Sequence, residues 1–521
     1  MQVFPDHKKV VIPYRADVEQ LLLPAAQRFE HGGAWYLAIP HEVGSVRLLR
    51  NLGLNVPGPI LSYYDWNGGV PFDSQRVTAD MCTIARRAYV LSEMGVGKTR
   101  AVLWAYDYLR REGLLHKLLV VAPLSTLVTV WENEIFENFP HLKTQVLYAY
   151  NKAKRQQLLA KPADIYIVNH EGVEVLHKEL WARTDIDGII IDELAAYRNS
   201  RTNRWKNLEP LVARSGYAWG LTGAPTPNAP TDAFGQSKLL TPALSGYSFK
   251  RFKDSTMRQV STFKWVERPE AATLTKAIMQ PAVRFTRAEC LDLPPTTYST
   301  RVVQLSPAIE ALYKEMHKEL AVEIRNKEIT AANAGVKLSK LLQLSAGFAY
   351  DGSGAGVYAG GNDRFKEIFE VIQQSSGKII VFSPFRYFVE LLAGSAARLA
   401  VGNPKFSCAV IHGNVSQTSR TRTFSDFQRL PSPRILFAHP ATMAHGLTLT
   451  AANTILWASP PTSLELYEQA NARITRAGQH QNTHIIHIAG SQAERYVYAR
   501  LQRKAALQNA ILDLFEQETS V

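Results

Sequence analysis

The chain of 521 residues is 46% hydrophobic and 20% charged, the balance of a globular protein with length for about three domains or fewer. No apolar run nears the length of a membrane span, and residues 1–17 lack the apolar stretch of a secretory leader, so a membrane-embedded or exported protein is not expected. Three scattered cysteines, Cys82, Cys290 and Cys408, have no metal-ligand spacing and point to a reducing compartment without structural zinc, while a formal net charge of +13 favours a polyanionic partner.

Residues 1–67 read as a small α/β module. The pattern predicts a helix over 16–29, an aromatic strand over 32–40 and a second helix over 41–52. Such a segment either grips a nucleic acid or packs on the rest of the chain. Beyond it, apolar runs alternate with amphipathic stretches, the signature of parallel α/β architecture. The first set of runs is 88–91, 117–122, 164–168, 188–192 and 217–221. The second is 378–382, 408–411, 434–437, 454–457 and 484–488. Between the sets, 242–296 shows no clear strand set and is expected to be helical, and the glycine-rich stretch 352–361 reads as a surface loop. The expected boundaries are therefore 1–67, 68–241, 242–296 and 297–521.

Chemistry concentrates in a few strings. Ser92-Glu93-Met94-Gly95-Val96-Gly97-Lys98-Thr99 follows an apolar strand and opens a helical stretch. Glycines let backbone N–H groups face phosphates, and the helix N-terminus adds a favourable dipole. Lys98 would reach the β/γ-phosphates and the Thr99 hydroxyl would hold Mg²⁺. Ser92 stands where the general pattern has its first glycine. Farther on, Ile189-Ile190-Ile191 ends in Asp192-Glu193, two acids at the carboxyl end of a strand. Asp192 suits the metal and Glu193 the attacking water. Leu221-Thr222-Gly223-Ala224-Pro225 is an ordinary turn in isolation, yet Thr222 can bond a neighbouring acid. Gln469 to Gln479 carries Arg473 and Arg476, three apart and on one face if helical, suited to transition-state charge.

These strings, in this order, resemble the superfamily-two helicase-related ATPases of the Swi/Snf type. Val121-Ala122-Pro123-Leu124-Ser125 with Trp131-Glu132-Asn133-Glu134 resembles that family's first DNA-contacting motif. Val283-Arg284-Phe285-Thr286-Arg287 before Leu293-Pro294-Pro295 is similar to its inter-lobe junction, and His412-Gly413 with Arg420 and Phe427 to its second-lobe strand–helix unit. The resemblance spans roughly residues 71–503, and the variant is similar to compact phage and prophage members and somewhat like the annealing-helicase branch. It implies an α/β fold of two RecA-like parallel-sheet lobes in tandem, with a helical inter-lobe region and the small N-terminal module.

It also implies ATP and Mg²⁺ as cofactors. Gln75, Glu93, Met94, Gly95, Val96, Gly97, Lys98, Thr99, Arg100, Gly446 and Gln469 would bind the nucleotide, with Thr99 and Asp192 on the metal. Lys98, Asp192, Glu193, Arg473 and Arg476 would carry catalysis in a cleft between lobes. Pro123, Leu124, Ser125, Asn169, Thr222, Gly223, His412 and Gly413 would face nucleic acid. Two departures stand out, Asp192-Glu193-Leu194-Ala195 and His439-Pro440-Ala441 in place of a Ser/Thr start. The implied activity is a DNA-stimulated ATPase that translocates on, remodels or reanneals duplex or forked DNA, in the cytoplasm of a bacterium or phage-infected bacterium. A strand-separating DNA or RNA helicase is the alternative, and an ATP-gated DNA-binding scaffold without turnover is another. The family implies no membrane association, and no protein partner is legible.

Overall fold

The computed structural model describes residues 1–503 except 245, 247, 262, 263, 291–293, 326–330, 352, 361, 444–447 and 477. The chain forms two compact units, the first built from residues up to Arg258 and from Val266–Cys290, the second from Gln259–Trp265 and the described residues beyond Leu291.

Unit one begins with an antiparallel sheet of four strands, β1 (Gln2–Phe4), β2 (Lys9–Pro13), β3 (Gln27–His31) and β4 (Ala34–Pro40), in the order β1-β2-β4-β3. The helix expected over 16–29 stops at Leu22 and the chain turns into β3. Pro24 accounts for the early stop, because its ring blocks a helix and removes a donor. Gly32 and Gly33, at φ +58° and +77°, make the tight β3–β4 turn. Leu37 and Ile39 on β4 are fully buried in the same core as Val102, Trp104 and Val120, so the module shares its core with the sheet of the motor segment.

That sheet has seven strands: β5 (Arg87–Val90), β6 (Leu118–Ala122), β7 (Thr144–Val146), β8 (Ile165–Asn169), β9 (Gly188–Asp192), β10 (Tyr217–Leu221) and a late two-residue strand. The stretch 242–296, expected to be helical, also holds a ribbon of β11 (Met257–Ser261) and β12 (Lys264–Glu267) and the late strand β13 (Ala282–Val283). The order is β13-β5-β10-β9-β6-β8-β7, parallel throughout. Leu118, Val120 and Ala122 on β6 enter one core, and Leu119 and Val121 enter the core on the other face. Burial on both faces is why these strands read as unbroken apolar runs.

Unit two holds a six-stranded parallel sheet made of β14 (Thr296–Val302), β17 (Lys378–Phe382), β18 (Cys408–Ile411), β19 (Ile435–Ala438), β20 (Ala452–Trp457) and β21 (Thr483–Ala489), ordered β14-β21-β20-β17-β19-β18. A ribbon of β15 (Phe348–Tyr350) and β16 (Gly356–Tyr358) precedes β17, so the expected loop at 352–361 contains a strand. The core of unit two centres on Phe382, Phe437 and Trp457, all fully buried. No helix among the described residues is long and apolar enough to cross a membrane.

Candidate nucleotide site

Every strand of a parallel sheet ends at the same edge, and the carboxyl-terminal edge of unit one gathers the candidate residues. β5 leads into Ser92–Thr99, β6 into Pro123-Leu124-Ser125, β8 ends on Asn169, β9 delivers Asp192 and Glu193, and β10 delivers Thr222 and Gly223. Gly95 and Gly97 take φ +89° and +78°, a left-handed backbone that a glycine adopts without strain. Lys98 and Thr99 form the first turn of the helix Lys98–Arg111. The Lys98 ammonium donates to the carbonyls of Ser92 at 2.7 Å and Glu93 at 2.8 Å.

Gln75, 6% exposed, supports the loop from behind. Its Nε2 donates to Gly97 O at 3.3 Å and its Oε1 accepts from Phe72 N at 3.0 Å. A Cβ added at Gly97 would lie 2.1 Å from Gln75 Nε2, so a larger residue would have to displace the Gln75 amide. Val96 is buried, and Arg100 forms an ion pair with Glu134.

Asp192 and Glu193 are held by different partners. Asp192 Oδ2 accepts from the Trp131 indole at 3.0 Å, and its Oδ1 accepts from the Glu193 N–H at 3.0 Å. Burial pushes the Asp192 carboxyl up, opposed by the Trp131 hydrogen bond and the Lys98 charge. A half-buried carboxylate facing an ammonium is an environment that a cation would stabilise, which fits Asp192 as a metal ligand or a ligand to its water. Among the described residues no three His, Cys, Asp or Glu side chains converge as a metal cage. A cation here would therefore need phosphate and water oxygens for the rest of its shell, as Mg²⁺ does.

Glu193 has φ 54° and ψ 56°, a left-handed conformation unusual for a residue with a side chain. Such strain, about 1–3 kcal/mol, collects at sites that use it. Here it brings the carboxylate to Thr222, whose Oγ1 donates to Glu193 Oε1 at 3.2 Å. A Cβ added at the neighbouring Gly223 would meet Ser92 O at 3.6 Å and Met94 N at 3.7 Å, so the β10 turn lies against the Ser92–Thr99 loop. Thr222 is 2% exposed. It bonds the Glu193 carboxylate and presents little surface to a large ligand.

The nucleic-acid candidates divide by exposure. Leu124 is 43% exposed and Ser125 lies beside it in the open, just before the π-helical turn Leu127–Glu132. Asn169 is buried, accepting from Arg155 at 3.4 Å and donating to Glu171 at 2.9 Å. In unit two, His412 and Gly413 come directly after β18, with His412 Nε2 3.3 Å from Glu390 Oε1. His439, the departure noted at the end of β19, has its pKa lowered by burial.

The helix expected to carry Arg473 and Arg476 ends at Asn471, and both arginines lie in the turns beyond it. Helical spacing therefore does not align them. Arg473 is 3% exposed and its carbonyl accepts from Leu449 N at 3.0 Å. Arg476 donates to Thr448 Oγ1 at 3.1 Å. Gln469 is buried and donates to Glu465 at 3.3 Å. Gly446 lies outside the described residues, as do Ala444, His445, Leu447 and Ala477. Gln479 stands out only in the folded chain. Its amide donates to the carbonyls of Thr450, Ala452 and Ile474 at 3.3, 2.9 and 3.1 Å and so fixes the arginine-bearing turns. Trp131 and Arg287 are likewise visible in the sequence only as members of longer strings.

An SNF2-related domain model matches residues 85–346, half of the chain, and a helicase conserved C-terminal domain model matches residues 363–478. The chain belongs to the SNF2-related family. As a member it is an ATP-using hydrolase of nucleic-acid-dependent type. "Putative protein p41" of Acyrthosiphon pisum secondary endosymbiont phage 1 is 26% identical over 457 residues, covering 83% of this chain and 96% of that protein. The "DNA annealing helicase and endonuclease ZRANB3" of Mus musculus is 27% identical over 455 residues, 82% of this chain but 39% of that protein. The solved Sulfolobus solfataricus SWI2/SNF2 ATPase core in complex with dsDNA aligns at a TM-score of 0.41 and 23% identity, covering 85% of this chain and 93% of that one.

Proposed function

We propose that this SNF2-related protein is a DNA-stimulated ATPase that translocates on, remodels or reanneals duplex or branched DNA. The observation that carries the reading is the hydrogen bond from Trp131 to Asp192, which joins the segment starting at exposed Ser125 to the acidic pair of the ATP site. The relation to ZRANB3, named as a DNA annealing helicase, supports DNA as the polymer, and the net charge of +13 supports a polyanion.

Bound ATP with Mg²⁺ supplies the scissile phosphoanhydride and the charge that polarises it. Lys98 exchanges the carbonyls of Ser92 and Glu93 for phosphate oxygens. Thr99 and Asp192 would hold the metal, directly or through its waters. Glu193, oriented by Thr222, accepts a proton from the attacking water. Arg473 and Arg476 are proposed to stabilise transition-state charge, a role worth on the order of 10³–10⁵ in rate. Leu124 and Ser125 would meet the DNA backbone, as would His412 and Gly413. A bacterial or phage-infected cytoplasm is the proposed setting, in line with the phage relative.

ATP hydrolysis measured with duplex, forked and single-stranded DNA and with RNA tests the reading. Duplex or forked DNA should stimulate most, and stimulation should fall steeply with salt. Stimulation by RNA alone would overturn it. Release of a labelled strand from a plain duplex would move the assignment to a strand-separating helicase.

A further inference from the structure

The phosphate-binding loop is gripped from two sides at the same two residues. On one side Lys98 donates to the carbonyls of Ser92 and Glu93. On the other, the segment after β13 bonds to their remaining groups. Leu91 N donates to Val283 O at 2.8 Å and Glu93 N to Phe285 O at 2.9 Å, so the β13–β5 ladder runs on into the loop. Phe285 N donates to the Ser92 hydroxyl at 3.0 Å. The Glu93 carboxylate accepts from Arg287 twice, from Nε at 2.8 Å and from the backbone N–H at 3.2 Å. Ser92, the residue that departs from the glycine of the general pattern, thus supplies an acceptor that glycine lacks.

The electrostatics agree with the geometry. Burial raises the Glu93 carboxyl, but Arg287, with a contribution from Arg284, outweighs it and holds the group below the usual carboxylate range. Both partners are partly enclosed, at 27% and 29% exposure, where an ion pair with a second hydrogen bond outlasts a fully solvated one.

Nucleotide binding puts this arrangement under load. When Lys98 turns to phosphate, the carbonyls of Ser92 and Glu93 lose its ammonium as a donor, and the loop keeps its shape only if something else holds it. We infer that Arg287 is a positioning residue of the ATP site: its bond to Glu93 fixes the entry of the phosphate loop through the Lys98 exchange. The inference rests on the proposed ATP site and extends it to a residue outside the nucleotide-contacting strings.

The test uses the full chain carrying Arg287→Ala, Arg287→Lys, Glu93→Gln or Arg287→Ala with Glu93→Gln. Nucleotide binding is read with a fluorescent ATP analogue, turnover as kcat and KM, and folding by circular dichroism and thermal melting. Arg287→Ala should weaken nucleotide binding about tenfold and raise KM by a similar factor, with a smaller effect on kcat. Arg287→Lys should recover part of the loss, and the double variant should be no worse than the poorer single one. Unchanged binding in Arg287→Ala, or additive losses in the double variant, would overturn the inference. So would equal damage in the Ala and Lys variants that tracks a fall in melting temperature. Absence of nucleotide binding in the unmodified protein would instead overturn the ATP-site reading itself.

Discussion

The indole N–H of Trp131 donates to Asp192 Oδ2 at 3.0 Å, across 61 residues of chain. The ring is fully buried and lies near the end of a π-helical turn that begins at Leu127, two residues past exposed Ser125. π-Helical turns are rare and recur at functional sites. A shift of the 124–129 backbone therefore moves a donor on the carboxylate proposed to hold the metal. Trp131→Phe keeps an aromatic ring and removes the donor. A hydrogen bond to a charged group is worth about 1.5–3 kcal/mol, so the Mg²⁺ concentration for half-maximal nucleotide binding should rise roughly tenfold. The fold of DNA stimulation should fall with it. A Mg²⁺ titration of fluorescent-nucleotide binding, with and without duplex DNA, checks this. Unchanged curves would reduce Trp131 to packing.

Glu193 and Thr222 should behave as a unit, given their 3.2 Å hydrogen bond and the left-handed backbone at Glu193. Glu193→Gln removes the proposed proton acceptor and should cut single-turnover hydrolysis by about 10²–10⁴ while nucleotide binding persists. Thr222→Val leaves the acid in place but unoriented, so a loss nearer tenfold is expected. Once Glu193 is Gln, adding Thr222→Val should cost little more. Full additivity in that double variant would show that Thr222 works elsewhere.

Gly97→Ala probes the loop sterically. The position needs φ +78°, and a Cβ there meets Gln75 Nε2 at 2.1 Å. The left-handed backbone alone costs roughly 1–2 kcal/mol for a residue with a Cβ, and displacing Gln75 adds the loss of its bond to Gly97. Nucleotide affinity should drop at least tenfold. Gln75→Ala combined with Gly97→Ala should recover part of it by opening space, and no recovery would place the defect in the backbone alone.

Legibility from sequence was greatest where burial is two-sided. All ten strands expected from apolar runs lie in the two parallel sheets, because residues facing either core must be apolar, as Leu118 to Ala122 show. Strands without that constraint escaped. β14 is exposed along nearly its whole length at the edge of its sheet, so Thr296 to Val302 carries no apolar run. β13 is two residues long and depends on β5 for its pairing. Apolar spacing alone carries a helix across 16–29, yet Pro24 sits within that span and forbids it. In the site, the order of strings was enough to gather Lys98, Asp192, Glu193 and Thr222 at one sheet edge. What spacing did not reveal were the bonds that join them, Trp131 to Asp192 and Arg287 to Glu93, because each is set by tertiary packing.

The pH dependence of unit-two stability should carry the signature of His487. This imidazole is 1% exposed, its Nε2 is 2.7 Å from the Tyr467 hydroxyl, and it stacks on Tyr498 at 4.3 Å between centroids. Burial lowers its pKa from 6.5 to about 4. The folded state therefore resists protonation, whereas the unfolded chain takes up the proton near 6.5. Its contribution is fully present above that value and is lost progressively as pH falls from 6.5 toward 4, where the loss levels off. The linked loss is about 3 kcal/mol across the window. Melting temperatures of the unmodified protein should decline between pH 7 and 5 more steeply than those of His487→Gln, which keeps a polar partner for Tyr467 and does not titrate. Parallel slopes for the two proteins would mean that His487 is not the group that senses acid.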